Sequence, residues 1–324
     1  MREPALHDIL AARKRMHGVA VRTPQIESPA LSRKLGARVL IKLESLQRTG
    51  AFKVRGATNR IKSFTPEQRA AGVITFSTGN HGKAVAYVAG RLGLHAVVCL
   101  SEHVPAYRVE RVRELGAEVV VKGKTQDEAE QEYYRLIAQR GLQPVVPFDD
   151  PFVIAGQGTI GLEMLEDEPA LDTVLVQLSG GGLGAGVGLA LKTINPQIRL
   201  IGVSIERSPA LLECIKAGRP VELEEHETLA DSLLGGVGME NRYTVELVRR
   251  YFDDHIVVDE SEVALGMSYM LREHSLVVEG AGAVAIGALL YRDLGNLGNA
   301  IGVIASGSAV DIPVYLETVS RLLL

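Results

Sequence analysis

Short apolar runs alternate with amphipathic stretches along most of the chain. Stretches with helical spacing of apolar positions lie between these runs, among them 80–93, 106–116, 125–141 and 159–169. The runs typical of buried strands are residues 37–44, 72–78, 95–100, 117–123, 173–178, 198–206, 255–260 and 300–306. Strands that are apolar on both faces and separated by helices predict a mostly parallel sheet in an α/β fold.

The same pattern predicts two structural units. Residues 51–145 contain three or four strand–helix units, and the chain from 146 onward contains another set. No linker rich in proline, glycine or serine separates the two sets, so we expect the chain to pass directly between them and the units to share a cleft. We predict a small domain at 51–145 and a large domain formed by 1–50 and 146–324.

Composition narrows the classes of function. The chain has 324 residues, 46% of them hydrophobic, and a formal net charge of -4, which gives no basic excess for nucleic acid. Its two cysteines, Cys99 and Cys214, lie in apolar or amphipathic segments and favour a reducing compartment over a disulfide framework. No apolar run reaches the roughly 18 residues of a membrane span, and the polar N-terminus is unlike a signal peptide. We expect a cytoplasmic protein without a nucleic-acid or membrane partner.

Three glycine-containing loops follow predicted strands, at 76–82 (FSTGNHG), 177–186 (QLSGGGLGAG) and 303–311 (VIASGSAVD). Ligands of open α/β sheets bind at the carboxyl ends of the strands. The first loop starts a helix near Asn80 and His81, which suits a carboxylate, although an ordinary helix cap explains it equally well. Consecutive glycines in the second loop let main-chain N–H groups surround an anion, and phosphate is the anion we expect there. Taken alone, the third loop is more typical of a simple turn.

The second loop also permits a different interpretation. Gly180, Gly182 and Ala185 match the dinucleotide pattern G-x-G-x-x-G/A after a strand, and Glu206 ends the following strand, where an acid for a ribose would lie. This alternative predicts an NAD-binding oxidoreductase. A single match of this kind is weak, and it leaves the other two loops without a function.

The stretch GAFKVRGA at 50–57 places Lys53 and Arg55 among apolar and small residues. Burial of an ammonium group costs free energy, and a partly desolvated lysine has a lowered pKa and becomes a usable nucleophile. With the adjacent Phe52 and a phosphate cradle, such an amine suggests a Schiff base with pyridoxal 5'-phosphate. A surface lysine with an extended side chain is the alternative. A protein that only binds a small molecule would not need Lys53.

Five motifs occur in the order seen in the fold-type-II pyridoxal-phosphate enzymes: TGAFKVRGA, FSTGNHG, AGQGTIGLE, SGGGL and SGSAVD. From about residue 20 to 315 the chain resembles their threonine/serine dehydratase and serine racemase group. FDDP at 148–151 and ADSLLGGVG at 230–238 are most similar to the hydroxyectoine utilization dehydratase subgroup. The resemblance implies a tryptophan synthase beta-like fold of two open parallel-sheet αβα domains with the cofactor in the cleft. It further implies a homodimer without the C-terminal regulatory domain.

The resemblance also implies roles for individual residues. Lys53 would hold the cofactor and later act as the base at the substrate Cα. Phe52 would lie against the pyridine ring, Asn80 would bind its 3′ oxygen and Ser306 would face its nitrogen. The phosphate cup would consist of Ser179, Gly180, Gly181, Gly182 and Leu183. The substrate carboxylate would be bound by Ser77, Thr78, Asn80 and His81.

The implied reaction removes the β-hydroxyl and the amine of a 3-hydroxy amino acid and gives a 2-oxo acid and ammonia. Related racemases carry a serine at the position of Thr78, where it acts as the base on the opposite face of the ring. The extra methyl group of a threonine crowds that place, so we expect dehydration rather than serine racemisation, although Thr78 remains a candidate catalytic residue. Threonine, serine, 3-hydroxyaspartate and a hydroxyectoine breakdown product all carry the required hydroxyl group.

Two further positions depart from the family pattern. The last motif reads Ser306-Gly307-Ser308-Ala309 in place of Ser-Gly-Gly-Asn, which leaves Ser306 unchanged. Some relatives bind a divalent cation through an acid, a carbonyl and a second acid. Glu206 and Ala210 match the first two, but Leu212 replaces the second acid. A cation that prefers oxygen ligands would lose a charged one, so we expect no strong metal site.

Overall fold

The computed structural model describes residues 2–77, 79–102, 104, 106–123, 126–224 and 226–323. Its helices are α1 (Leu6–Met16), α2 (Pro29–Leu35), α3 (Lys53–Ser63), α4 (Pro66–Ala71), α5 (Asn80–Leu92), α6 (Ala106–Glu114), α7 (Gln126–Arg140), α8 (Pro151–Asp167), α9 (Gly182–Ile194), α10 (Ala210–Ala217), α11 (Thr244–Tyr251), α12 (Glu260–His274), α13 (Gly280–Tyr291) and α14 (Ile312–Leu323). Its strands are β1 (Gln25–Glu27), β2 (Arg38–Lys42), β3 (Val73–Phe76), β4 (Ala96–Leu100), β5 (Glu118–Val121), β6 (Gln143–Pro144), β7 (Thr173–Gln177), β8 (Arg199–Ile205), β9 (Asp254–Val258) and β10 (Ala300–Ile304). Short 3₁₀ turns lie at Glu44–Leu46 and Asp231–Leu233.

The strands form two sheets. The larger has the order β1-β2-β10-β7-β8-β9, and the smaller has the order β5-β4-β3-β6. Every pairing is parallel except that of β1 with β2, which is antiparallel. The predicted α/β class with mostly parallel sheets is therefore confirmed. The strands of the smaller sheet all fall within 51–145, and the domain boundaries themselves stay a prediction.

Helices cover both faces of the larger sheet. The side chain of Leu175 in β7 packs in one layer with those of Met270 in α12 and Val284 in α13. Its neighbour Val176 faces the other layer, with Val187 of α9. Alternating apolar side chains along a strand point to opposite faces, so a continuous apolar run is what a sheet buried on both sides requires.

The smaller sheet is covered in the same way. Val98 of β4 packs with Val85 of α5 and Ile61 of α3 on one face. The adjacent Cys99 packs with Tyr133 of α7 on the other face. Cys99 and Cys214 are both free and buried, in agreement with the prediction that they form no disulfide. Among the described residues, every helix is too short or too polar to cross a lipid bilayer.

Helix α8 begins well before the position predicted from the sequence. Asp150 caps it, because its carboxylate accepts hydrogen bonds from the main-chain N–H groups of Phe152 (2.8 Å) and Val153 (3.1 Å). The predicted start at 159 was wrong because glycines in 151–158 lower helix propensity. Here they permit close packing of helices: a Cβ on Gly156 would come within 2.7 Å of the Cα of Gly56 in α3. This close approach holds α3 directly against α8.

Candidate functional site

The loop that follows β10 lies against the start of α3. The main-chain N–H of Phe52 donates to the carbonyl oxygen of Ser306 at 3.0 Å, and Ala51 forms an isolated bridge with Gly307. These contacts bring the third loop against the residue that precedes Lys53. The third loop, whose motif taken alone is typical of a simple turn, thus lies beside Lys53, and the role that the resemblance implies for Ser306 stays a prediction.

Lys53 is the first residue of α3 and is partly buried. Its Nζ donates a hydrogen bond to the carbonyl oxygen of Pro147 at 3.0 Å and lies 5.2 Å from the centre of the Phe52 ring. Burial lowers the pKa of Lys53 to about 8, although the charge of Glu279 acts in the opposite direction. A lysine with this pKa exposes a substantial fraction of neutral amine near neutral pH, as nucleophilic catalysis requires.

The glycines after β7 form a cradle for an anion and pack so closely against Phe148 that side chains at two of them would clash. A Cβ on Gly180 would lie 2.3 Å from the ring of Phe148, and one on Gly182 would lie 2.9 Å from the Cα of Phe148. Gly181 has a φ of +85° and immediately precedes α9. Within the described ranges, the main-chain N–H groups of 179–183 find no acceptor. Free N–H groups at the start of a helix bind anions, and phosphate in particular.

Asn80 stands at the start of α5 and is held by a carboxylate that the sequence analysis missed. Its Nδ2 donates to both oxygens of Glu279, at 2.8 and 3.1 Å. Its buried Oδ1 has no partner in the part of the chain that the structure describes. The side-chain amide of Asn80 is thus fixed at one end and available at the other.

Glu279 is buried and precedes the first residue of α13. Its carboxylate also accepts a hydrogen bond from the main-chain N–H of Ala309 at 2.9 Å. Burial raises the pKa of Glu279 to about 7, against the hydrogen bond from Asn80. An isolated acid before a glycine-rich apolar stretch (VVEGAGA) was the available signal, but such an acid is more often a plain helix cap.

His81 is buried next to Asn80, and its ring is neutral. Nε2 lies 2.8 Å from the carbonyl oxygen of Val145, so Nε2 carries the proton and donates it. Burial and then the charge of Lys53 lower the pKa of His81 to about 3. The buried Nδ1 is left without a partner among the described residues and can only accept a hydrogen bond. The ring therefore cannot bind a carboxylate, and only the main-chain N–H of His81 can serve the role predicted for this residue.

The structure says less about five other predicted positions. Ser306 is buried directly after β10, and Ser77 follows β3 with its Oγ 3.4 Å from the N–H of Gly79. Thr78 lies outside the described residues, so its predicted catalytic and substrate-binding roles stay predictions. Leu183 is buried in the first turn of α9, and Ser179 is partly buried just before it.

Glu206, the first residue of the cation pattern, is exposed after β8. Within the described ranges, no group of three His, Cys, Asp or Glu side chains is placed to hold a metal ion. The absence of a strong cation site nevertheless stays a prediction.

Comparison with known proteins agrees with this geometry. The family described as "Pyridoxal-phosphate dependent enzyme" matches residues 18–307. A protein of Sinorhizobium fredii named "Putative threonine dehydratase" is 44% identical over 316 residues, which cover 98% of this chain and 95% of that protein. An "L-threonine ammonia-lyase" of Thermotoga maritima is 38% identical over 98% of this chain and 78% of its own length.

Solved structures give the same result. Maize serine racemase superposes with a TM-score of 0.91 at 32% identity, covering 99% of this chain and 98% of that one. The processed form of threonine deaminase isoform 2 from Solanum lycopersicum superposes with a TM-score of 0.91 at 35% identity, covering 98% and 92%. The predicted fold and cofactor are confirmed, and nothing favours the NAD-binding alternative. The chain therefore belongs to the pyridoxal-phosphate dependent enzymes and is a lyase of fold type II.

Proposed function

We propose that the chain removes the β-hydroxyl and amino groups of a small 3-hydroxy amino acid, L-threonine before L-serine, and releases a 2-oxo acid and ammonia. The observation that carries the proposal is Lys53, a partly buried amine with a pKa of about 8 near the glycine-containing loops. The names of the two relatives, a putative threonine dehydratase and an L-threonine ammonia-lyase, support threonine as the first substrate to test.

The residues around Lys53 fit pyridoxal 5'-phosphate. The unpartnered N–H groups of 179–183 suit its phosphate, and the close contact of Gly180 and Gly182 with Phe148 leaves no room for larger side chains at these two positions. The amine of Lys53 suits its aldehyde, and the free Oδ1 of Asn80, which can only accept a hydrogen bond, suits its 3′ oxygen when that oxygen carries a proton. Phe52 would lie against the ring and Ser306 would face the ring nitrogen. When bound, this cofactor supplies an electron-withdrawing system that stabilises negative charge at the substrate Cα.

Lys53 itself serves as the base in this proposal. Its pKa of about 8 lies close to physiological pH, where a group both accepts and returns protons efficiently. Nζ donates a hydrogen bond to the carbonyl oxygen of Pro147 at 3.0 Å, which fixes the position of the amine. Burial keeps water away and prevents Lys53 from being permanently protonated.

The start of α5 would bind the substrate carboxylate. The first N–H groups of that helix, at Asn80 and His81, lack acceptors within their own helix and carry the positive end of its dipole. Ser77 and Thr78 would add hydroxyl groups. Glu279 acts on this site through Asn80, because it fixes the orientation of the amide.

Turnover of candidate substrates tests the proposal. The protein reconstituted with pyridoxal 5'-phosphate should release equal amounts of 2-oxo acid and ammonia from L-threonine, and chiral chromatography should show little D-isomer. 3-Hydroxyaspartate and a hydroxyectoine breakdown product belong in the same screen, since assignment to the hydroxyectoine subgroup stays a prediction. Predominant D-serine formation would favour the racemase alternative instead.

Lys53→Ala should abolish both turnover and the adduct that borohydride traps between protein and cofactor. Lys62→Ala is the matched control, because Lys62 lies on the same helix and, among the described residues, bonds only to the carbonyl oxygen of His17. Turnover that survives in Lys53→Ala would remove Lys53 from the mechanism.

We also propose a cytoplasmic homodimer. The exposed apolar side chains of Ile312, Val314 and Leu316 on α14 support an interface there, in addition to the family resemblance. Light scattering coupled to gel filtration would measure the mass, and a monomer at micromolar concentration would contradict the homodimer.

A further inference from the structure

Arg55 lies two positions after Lys53, and the proposed reaction gives it no role. Its side chain is 1% exposed and sits between two carboxylates. Nε and Nη2 donate to the two oxygens of Glu44, each at 2.7 Å. Nη1 and Nη2 donate to the two oxygens of Glu163, each again at 2.7 Å. Two-pronged contacts of this kind fix the plane of a guanidinium group as well as its position.

A second buried cation completes the set. Lys42 is fully buried, and its Nζ lies 2.7 Å from Glu163 and 2.7 Å from the carbonyl oxygen of Thr23, to which it donates. Despite its burial, the pKa of Glu44 is held below its ordinary value by Arg55. We call Lys42, Glu44, Arg55 and Glu163 the buried ion network. Its two positive and two negative charges balance.

The network joins α3 to three other parts of the molecule. Lys42 ends β2, which pairs with β10, the strand that leads to Ser306. Glu44 begins the 3₁₀ turn after β2, and Glu163 lies on α8. Buried ion pairs are weak evidence for stability, because apolar replacements of similar size are often tolerated. A network of this size beside a nucleophilic lysine therefore calls for another explanation.

Helix geometry supplies one. Residues two positions apart on an α-helix point about 200° away from each other around the axis. Arg55 and Lys53 thus face nearly opposite sides of α3, and whatever fixes the rotation of Arg55 also fixes the direction of Lys53. The hydrogen bond of Nζ to Pro147 is a single contact, whereas Arg55 makes four short ones.

We propose that the buried ion network is a positioning device that sets the rotation of α3 and so aims Lys53 at the cofactor aldehyde. This inference rests on the proposed role of Lys53. Arg55, Glu44 and Glu163 are positioning residues, which touch neither substrate nor cofactor. Displacement of a reacting group by about 1 Å can slow a reaction about 100-fold, so a small rotation suffices for a measurable effect.

Arg55→Lys tests the proposal, because it keeps the charge and removes the planar fork. Apoenzyme is mixed with saturating pyridoxal 5'-phosphate, and the covalent adduct at Lys53 is followed by borohydride quenching and mass spectrometry. Pyridoxine 5'-phosphate, which lacks the aldehyde, reports non-covalent affinity for the same site. We expect adduct formation to slow at least about tenfold and the affinity for pyridoxine 5'-phosphate to stay within about twofold.

Arg60→Lys is the matched control, since Arg60 also lies on α3 and pairs with Asp150 at 3.1 Å. It should form the adduct at the rate of the unaltered protein. An unchanged adduct rate in Arg55→Lys, or equal losses of adduct rate and pyridoxine 5'-phosphate affinity, would overturn the positioning role.

A second variant covers the case in which Arg55→Lys does not fold. Replacing all four network residues (Lys42→Met, Glu44→Gln, Arg55→Met and Glu163→Gln) leaves no buried charge unpaired, and the same slow capture is expected. Fast capture by this variant would equally overturn the inference. Absence of any adduct at Lys53 in the unaltered protein would instead refute the proposed function.

Discussion

Two sets of buried polar groups near α3 differ in how well they are paired. Around Arg55, each charge of the buried ion network has a partner within 2.7 Å. Near Lys53, Asn80 Oδ1 and His81 Nδ1 are buried without partners among the described residues. Buried polar atoms are nearly always satisfied in folded proteins, so the unsatisfied pair beside Lys53 is where we expect a ligand to complete the structure. Other buried atoms without partners, such as Ser45 Oγ, lie in other parts of the described chain. The comparison thus separates the charged groups that hold the site in position from the unpaired groups that we expect to contact a ligand.

The largest expected effect comes from removing one charge of the buried ion network. Arg55→Met leaves the carboxylates of Glu44 and Glu163 with only Lys42 to balance them, and it should lower the free energy of unfolding by about 3–5 kcal/mol. Urea denaturation followed by circular dichroism would measure the loss. Asn80→Ala, in the unpaired set, should cost much less. A larger loss for Asn80→Ala would contradict the division between the two sets.

The next effect concerns the glycine cradle. Gly180→Ala places a methyl group 2.3 Å from the Phe148 ring, so the loop must shift. We expect the Kd for pyridoxal 5'-phosphate to rise at least about tenfold, because the phosphate loses aligned N–H donors. Fluorescence titration of the apoenzyme would measure it.

Phe148→Ala combined with Gly180→Ala should recover part of this affinity, since the double variant makes room for the methyl group. Gly236→Ala is a control, because the nearest atom to its added Cβ would be 3.9 Å away. Failure of the double variant to recover any affinity would show that the steric explanation is wrong.

A smaller effect is expected on the pH dependence of Lys53. Its neutral, reactive form accumulates as pH rises through its pKa of about 8, so acylation of the apoenzyme at Lys53 should have its midpoint there. Glu279 raises this pKa, and Glu279→Gln should therefore move the midpoint to lower pH. Peptide mass spectrometry after brief acetylation at a series of pH values would measure both. A midpoint near the ordinary lysine value would show that Lys53 is not desolvated.

The smallest effect is expected for an exposed ion pair outside the site, which serves as a reference for the buried ion network. Arg140 contacts both oxygens of Glu118, at 2.8 and 2.9 Å, but both side chains are exposed to more than a third. Because water screens this pair, Arg140→Met should change the free energy of unfolding by only about 0–1 kcal/mol. A loss as large as that of Arg55→Met would mean that burial does not distinguish the two arginines.

What could be predicted from the sequence was local. Lys53, Phe52 and the glycines of 180–182 stand in contiguous motifs, so their chemistry could be recognised without the fold. The apolar runs likewise predicted every strand except β1 and the short β6. β1 has only three residues, too few to show an alternating pattern.

What could not be predicted depends on tertiary contacts. Glu44 lies 11 residues before Arg55 and Glu163 lies 108 residues after it, and no spacing rule connects the three. Glu279 reaches Asn80 in the same way. The neutral state of His81 follows from its bond to Val145 and from burial, both of which only the folded structure reveals.

The segment 145–148 has one more consequence. Its carbonyl at Val145 fixes the imidazole of His81, its carbonyl at Pro147 fixes the amine of Lys53, and the ring of Phe148 shapes the glycine loop. One continuous stretch of backbone therefore sets the positions of three separate chemical groups relative to one another. Redesign of this enzyme for a new substrate can change other residues that line the site. The backbone of 145–148 has to stay in place, since moving it would misalign all three groups at once.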